Sequence, residues 1–114
     1  MAEQEKKPKR FGQILRLKPE CREEYVRYHA NIWPEIVEVI RDGNIRNYSV
    51  FLKDDMLFAY FEYVGDDIQA DWKKMVAHPK MQEWWAIMTP MQEPLPTRAE
   101  GEWWAMMEEA YHQD

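Results

Sequence analysis

The run Asn44-Ile-Arg-Asn-Tyr-Ser-Val-Phe-Leu-Lys53, the pair Asp54-Asp55, and the run Met56-Leu-Phe-Ala-Tyr-Phe-Glu-Tyr63 read as two strands joined by a tight polar turn. Both runs are rich in aromatic and β-branched residues, and the two aspartates suit a hairpin connection. In the first run Tyr48, Val50 and Leu52 share one face, with Asn47, Ser49 and Phe51 opposite. Each strand of this hairpin has its own helical neighbour. Before it, Phe11 to Leu17 alternates as a strand, with Phe11, Gln13, Leu15 and Leu17 on one face, and Lys18-Pro19 opens a helix. That helix carries Glu20, Glu23 and Glu24 in its first turn, where carboxylates favour the helix dipole, and extends to about Asp42 with Gly43 as its stop. After the hairpin, Gly65-Asp66-Asp67 caps a helix bearing Ile68, Trp72, Met75 and Val76. His78-Pro79 interrupts it, and a further segment places Met81, Trp84, Trp85 and Met88 at helical spacing. Thr89 to Thr97 contains Pro90, Pro94 and Pro96 and reads as an ordered loop, while Glu102 to Gln113 alternates as a last strand.

The order is β-α-β-β-α-β, which predicts an α+β fold of ferredoxin-like type, with helices on one face of a four-stranded antiparallel sheet. The opposite face still carries aliphatic and aromatic residues and needs cover. Packing against a second copy, giving a homodimer that forms a dimeric α/β barrel, is the simple solution. Residues 11–114 form the single domain, preceded by a polar tail (1–10) containing Lys6, Lys7, Lys9 and Arg10 that reads as disordered and solvated.

Composition narrows the function. A net charge of −6 argues against nucleic acid or an anionic membrane as partner. The one cysteine, Cys21, excludes an internal disulfide and a cysteine-based zinc site, and the scattered histidines have no ligand spacing. No apolar run is long enough to span a membrane and no signal peptide precedes the first strand, so the expected location is cytoplasmic. The glycines are isolated and form no phosphate-binding loop, and no metal or cofactor is expected. Six Trp, six Tyr and eight Met are more large side chains than a core this size encloses, so some should line a cavity or an interface.

The candidate chemistry gathers in Tyr25-Val-Arg-Tyr-His29-Ala-Asn-Ile-Trp33-Pro34-Glu35. Tyr25 and His29 lie one turn apart on one helix face. Pro34 disfavours helix at Trp33, so the helix should bend or restart there, freeing polar groups to line a pocket. A histidine titrates near neutral pH and can give or take a proton. Adjacent helical residues diverge by roughly 100°, so one of Trp84 and Trp85 should pack in the core and the other is free to form a binding wall. Tyr48 suits either core or cavity. The residues by themselves point to acid/base catalysis without metal or cofactor or to plain metabolite binding; a cofactor-using oxygenase of the same barrel architecture is the rival to any catalytic reading.

Tyr25-x-x-x-His29-x-x-Ile32-Trp33-Pro34-Glu35, followed by Asn47-Tyr48-Ser49-Val50-Phe51 and by Trp84-Trp85, closely resembles the L-rhamnose mutarotases, in the same order and across nearly the whole chain from Phe11. The resemblance implies a ferredoxin-like protomer pairing as a dimeric α/β barrel. It further implies interconversion of the α and β anomers of L-rhamnopyranose in L-rhamnose metabolism, without cofactor or metal. By the same resemblance His29 matches the proton donor, and Tyr25, Tyr48, Trp84 and Trp85 match substrate-binding positions. The ending Glu108-Glu109-Ala110-Tyr111-His112 departs from the family pattern, and a related 6-deoxy sugar such as L-fucose is the alternative substrate.

Overall fold

The computed structural model describes residues 7–114; the first part of the basic tail, residues 1–6, lies outside the described residues. Strand β1 (Lys9–Leu17) leads through a 3-10 turn (Pro19–Cys21) into helix α1 (Arg22–Ala30), then α2 (Pro34–Asp42). Strands β2 (Ile45–Lys53) and β3 (Met56–Tyr63) follow, then helices α3 (Ile68–Ala77) and α4 (Pro79–Met88). A second 3-10 turn (Thr89–Met91) precedes the two short strands β4 (Gln92–Glu93) and β5 (Ala105–Met107).

β1 begins at Lys9, two residues earlier than its alternation suggested. The break between α1 and α2 falls where Pro34 requires it. Trp33 is extended (φ −66°, ψ 134°), and Pro34 occupies the first turn of α2, where its missing N–H costs nothing. The end of α1 is closed by Asn31, whose amide donates to the Arg27 carbonyl at 3.1 Å. Asp67 caps α3 by accepting from the Ala70 amide, and His78 Nδ1 accepts from Lys80 N to cap α4.

The hairpin has the expected turn, with Asp54 and Asp55 both at positive φ (50° and 61°), as a two-residue hairpin loop demands. The sheet order is β2-β3-β1-β4, with β5 on the same partner as β4, and every pairing is antiparallel. Leu15 pairs with Leu57 and Leu57 with Leu52 across the middle of the sheet. Leu15, Leu17, Ile36 and Leu57 are the most deeply buried side chains, joined by Tyr25, Val39, Met75, Met81, Trp84, Met88 and Met91 from the helices and the turn after them. All helices thus cover one face. On the other, Phe51 and Phe58 sit opposite each other and remain exposed at 60% and 36%.

The last strand corrects the sequence reading. The alternation from Glu102 to Gln113 suggested a long strand, but only Ala105–Met107 pairs, and Trp103 lies before it. The segment read as a loop instead supplies β4, so the fourth position in the sheet is filled by two short pieces with a loop between them. The physical reason lies in the sequence of the segment beyond Met107: Glu108, Glu109, His112, Gln113 and Asp114 give it almost no apolar face to bury, and residues 108–114 are exposed. A side-chain clamp replaces the ladder there. Arg10 donates to both Glu109 oxygens at 3.1 and 3.0 Å, which holds the Glu109 carboxyl below its ordinary pKa.

Candidate active site

Helix α1 turns Tyr25 and His29 toward the sheet side of the molecule. Their rings stack with centroids 4.2 Å apart, as the one-turn spacing allows. His29 Nδ1 lies 2.9 Å from the Tyr25 carbonyl oxygen. A carbonyl only accepts, so Nδ1 carries the hydrogen and the neutral ring presents an unprotonated Nε2. Nε2 makes no hydrogen bond to another described residue. The imidazole is half-buried, and burial pulls its pKa below the ordinary 6.5 against the opposing effect of the Tyr25 carbonyl.

Trp84 of α4 backs this pair. It is 5% exposed and receives three edge contacts, from Tyr28 at 6.0 Å, His29 at 5.4 Å and Trp33 at 5.2 Å between centroids. The extended Trp33-Pro34 break brings Trp33 onto the same indole as His29. Trp85 takes a different direction, as its adjacency to Trp84 requires, and packs on Trp72 of α3 with centroids 5.5 Å apart. The structure therefore gathers Tyr25, His29 and Trp84 in direct ring contact and sets Trp85 against another neighbour.

Tyr48 approaches from β2. Between Arg46 and Ser49 the register with β3 slips, and Asn47 adopts a positive φ of 53°. Such a bulge re-aims the side chain beside it. Tyr48 stacks on Phe61 of β3 (6.0 Å, 15°), which itself stacks on Phe11 of β1 (5.0 Å, 16°). The residue is 41% exposed, and desolvation raises the pKa of its hydroxyl.

Two residues that the sequence left unassigned complete the polar floor. Gln92 of β4, 8% exposed, is the one buried polar side chain among the described residues. Its Nε2 donates to the Tyr25 hydroxyl at 3.3 Å, and its Oε1 accepts from Trp103 Nε1 at 2.9 Å. Gln92 sits in a proline-punctuated segment with no periodicity, so only the fold reveals that it lies under Tyr25. A surface cleft of about 300 Å³ lined by Arg27, Tyr28, Asn31 and Trp33 stops short of both Tyr25 and His29. The Tyr25–His29 pair and Gln92 therefore lie apart from that cleft. Among the described residues no three His, Cys, Asp or Glu side chains are placed to hold a metal ion, and no helix is long and apolar enough to cross a membrane.

The arrangement offers a fixed acceptor nitrogen, three hydroxyl or amide groups and aromatic walls, which suits a small polyhydroxylated ligand with apolar faces. Comparison with known proteins points the same way. A structure of L-rhamnose mutarotase from Formosa agariphila superimposes with a TM-score of 0.73 at 20% identity, covering 93% of this chain and 99% of that one. Tetracenomycin F2 cyclase from Streptomyces glaucescens, a polyketide cyclase, superimposes with a TM-score of 0.69, also at 20% identity, covering 93% and 97%. These two share the fold and differ in chemistry, so the fold alone does not choose between them. Sequence does. The L-rhamnose mutarotase of Sinorhizobium fredii is 37% identical over 90 residues, covering 77% of this chain and 81% of its own. The family model described as L-rhamnose mutarotase matches residues 10–113. The chain belongs to the L-rhamnose mutarotase family.

Proposed function

We propose that this protein interconverts the α and β anomers of L-rhamnopyranose, a mutarotase-type isomerisation in which His29 exchanges the proton at the anomeric centre. Opening the ring takes a proton from the anomeric hydroxyl and gives one to the ring oxygen. Closure on the other face of the carbonyl reverses both transfers. Nothing is oxidised or reduced, and no group leaves.

The observation that supports this reading most is the fixed imidazole. Nδ1 is committed to the Tyr25 carbonyl at 2.9 Å, so Nε2 takes up and returns the proton without a change of tautomer. As imidazolium, the same nitrogen is the proton donor for ring closure. Tyr25 and Tyr48 offer hydroxyls to the sugar, Trp84 supplies an apolar wall behind His29, and Trp85 contributes from the α3 side, where it meets Trp72. The reading includes a cytoplasmic location and a homodimer in which the bare sheet faces of two copies pack against each other.

The test is exchange between L-rhamnose anomers followed by saturation-transfer NMR, with L-fucose run in parallel. Wild-type protein is expected to accelerate exchange of L-rhamnose. His29→Gln keeps a polar side chain but loses proton exchange, so the enzymatic contribution should fall about 10²–10⁴-fold. An unchanged rate in His29→Gln would remove His29 from the chemistry.

A further inference from the structure

A hemiacetal presents two demands at once: its anomeric O–H needs an acceptor and its ring oxygen needs a donor. The three-residue chain Trp103–Gln92–Tyr25 bears on the second demand. An indole N–H is a donor and never an acceptor. Trp103 Nε1, 2.9 Å from Gln92, therefore requires the amide oxygen on its side and settles the orientation of the amide. The Gln92 NH₂ then faces the Tyr25 hydroxyl at 3.3 Å, and an amide N–H can only donate. Tyr25 Oη is thus an acceptor toward Gln92, and its own hydrogen is directed elsewhere. Beside it, His29 Nε2 is an acceptor fixed by the Nδ1 bond to the Tyr25 carbonyl. One donor and one acceptor stand on stacked rings 4.2 Å apart between centroids.

We propose that Gln92 and Trp103 are positioning residues that make Tyr25 the proton donor to the ring oxygen of the sugar, while His29 takes the anomeric proton. This assignment rests on the mutarotase reading above. In the opening step the anomeric O1–H proton passes to His29 Nε2, and the O1 electron pair forms the aldehyde carbonyl. The C1–O5 bond breaks with its electrons on O5, and O5 takes the Tyr25 proton. The products are open-chain sugar, imidazolium and tyrosinate. Closure on the other carbonyl face runs each transfer backwards. The tyrosinate has two stabilising neighbours, the Gln92 N–H and the imidazolium stacked on it. Burial raises the Tyr25 pKa and the bond from Gln92 lowers it, so the amide opposes part of the cost of that intermediate.

Gln92→Glu tests the polarity of the chain. A carboxylate accepts from both sides, so it would hold the Tyr25 hydrogen and repel a tyrosinate; a protonated carboxyl restores the acceptor-and-donor pattern of the amide. The other groups facing this point are His29 from α1, itself in contact with Trp84, and Tyr48 from β2, with Leu17 of β1 opposite Gln92. Glu93 is the next residue of β4 and points to the other face. Glu102, beside Trp103, is engaged with the Ala99 and Met106 amides at 3.0 and 3.3 Å.

The experiment measures kcat and KM for L-rhamnose anomer exchange between pH 5 and pH 8 in wild type, Gln92→Glu, Gln92→Met and Trp103→Phe. Gln92→Glu should lose about tenfold or more in kcat at neutral pH with KM little changed, and its kcat relative to wild type should rise as pH falls. Gln92→Met keeps the volume without either bond, so its smaller loss should not depend on pH. Trp103→Phe frees the amide to turn and should lower kcat about threefold or more. It decides the matter if Gln92→Glu does not fold. Equal losses in Gln92→Glu and Gln92→Met at every pH, or an unchanged kcat in Trp103→Phe, would mean that the pair only packs. A wild-type protein that does not accelerate exchange removes the mutarotase reading and this assignment with it. An active wild type with pH-independent Gln92→Glu removes the assignment alone.

Discussion

At His29, burial and a hydrogen bond pull in opposite directions, and burial is the larger. The imidazole pKa therefore lies below 6.5, and Nε2 is free to accept throughout the neutral range. Protonation removes the acceptor, so on the proposed assignment kcat/KM should fall on the acid side with a midpoint below 6.5. On the proposed assignment the opposite limb belongs to Tyr25, which must keep its hydrogen in order to donate; burial raises its pKa, so the alkaline limb should have its midpoint above 10.0. Rate profiles of exchange, corrected for the spontaneous reaction at each pH, check both limbs. An acid limb centred above 6.5 would contradict the burial of His29.

At the scale of elements, the entry into α3 is a closely bonded joint. Tyr63 at the end of β3 donates its hydroxyl hydrogen to Asp71 of α3 and accepts from the Asp67 amide at 3.0 Å, while Asn44 donates to the same Asp71 oxygen at 3.0 Å. Gly65 passes directly over this cluster. A Cβ there would overlap the Tyr63 hydroxyl and come within 2.7 Å of Asp71 Oδ2. These neighbours cannot yield without breaking their bonds, so Gly65→Ala should destabilise by about 1–3 kcal/mol, read from the urea midpoint at unchanged slope. Because the cluster ties α3 to the end of β3 and to the start of β2, and leaves His29 untouched, the variant should keep its kcat at temperatures where it remains folded.

The whole molecule presents one face that its own helices do not cover. Phe51 and Phe58 stand across from each other on it with centroids 6.1 Å apart, and Gly12 lies beside Phe58 and Met107 at the next strand pair. The proposed homodimer buries this face. Phe58→Glu puts a charge at its centre, and a desolvated, unpaired carboxylate is costly. The expected outcome in sedimentation velocity is a shift from dimer to monomer, with secondary structure retained because Phe58 contributes nothing to the helix-covered core. A dimer that survives Phe58→Glu would place the interface elsewhere.

How much of this was legible beforehand differs from element to element. The hairpin, the breaks at Trp33-Pro34 and His78-Pro79, the cap at Asp67 and the stop at Gly43 are written locally, because a proline ring, a cap oxygen or a two-residue turn acts on its immediate neighbours. The pairing of Tyr25 with His29 is equally local, since helical pitch alone brings residues one turn apart together. The split fourth strand was not legible, because alternation records a face without showing whether another strand has apolar surface to meet it. Nor could the sequence separate Trp84 from Trp85 by role; only the packing of α4 against α1 on one side and α3 on the other does so. Gln92 and Trp103 carry no motif, and they reach Tyr25 only because β4 is laid beside β1. The sequence by itself determined the elements before the fourth strand and the family, and it singled out His29 as the candidate. Tertiary structure alone decided which nitrogen of that histidine is available and which way the hydrogen bonds beneath Tyr25 run, because both depend on partners distant along the chain or on atoms that only a folded helix brings into contact.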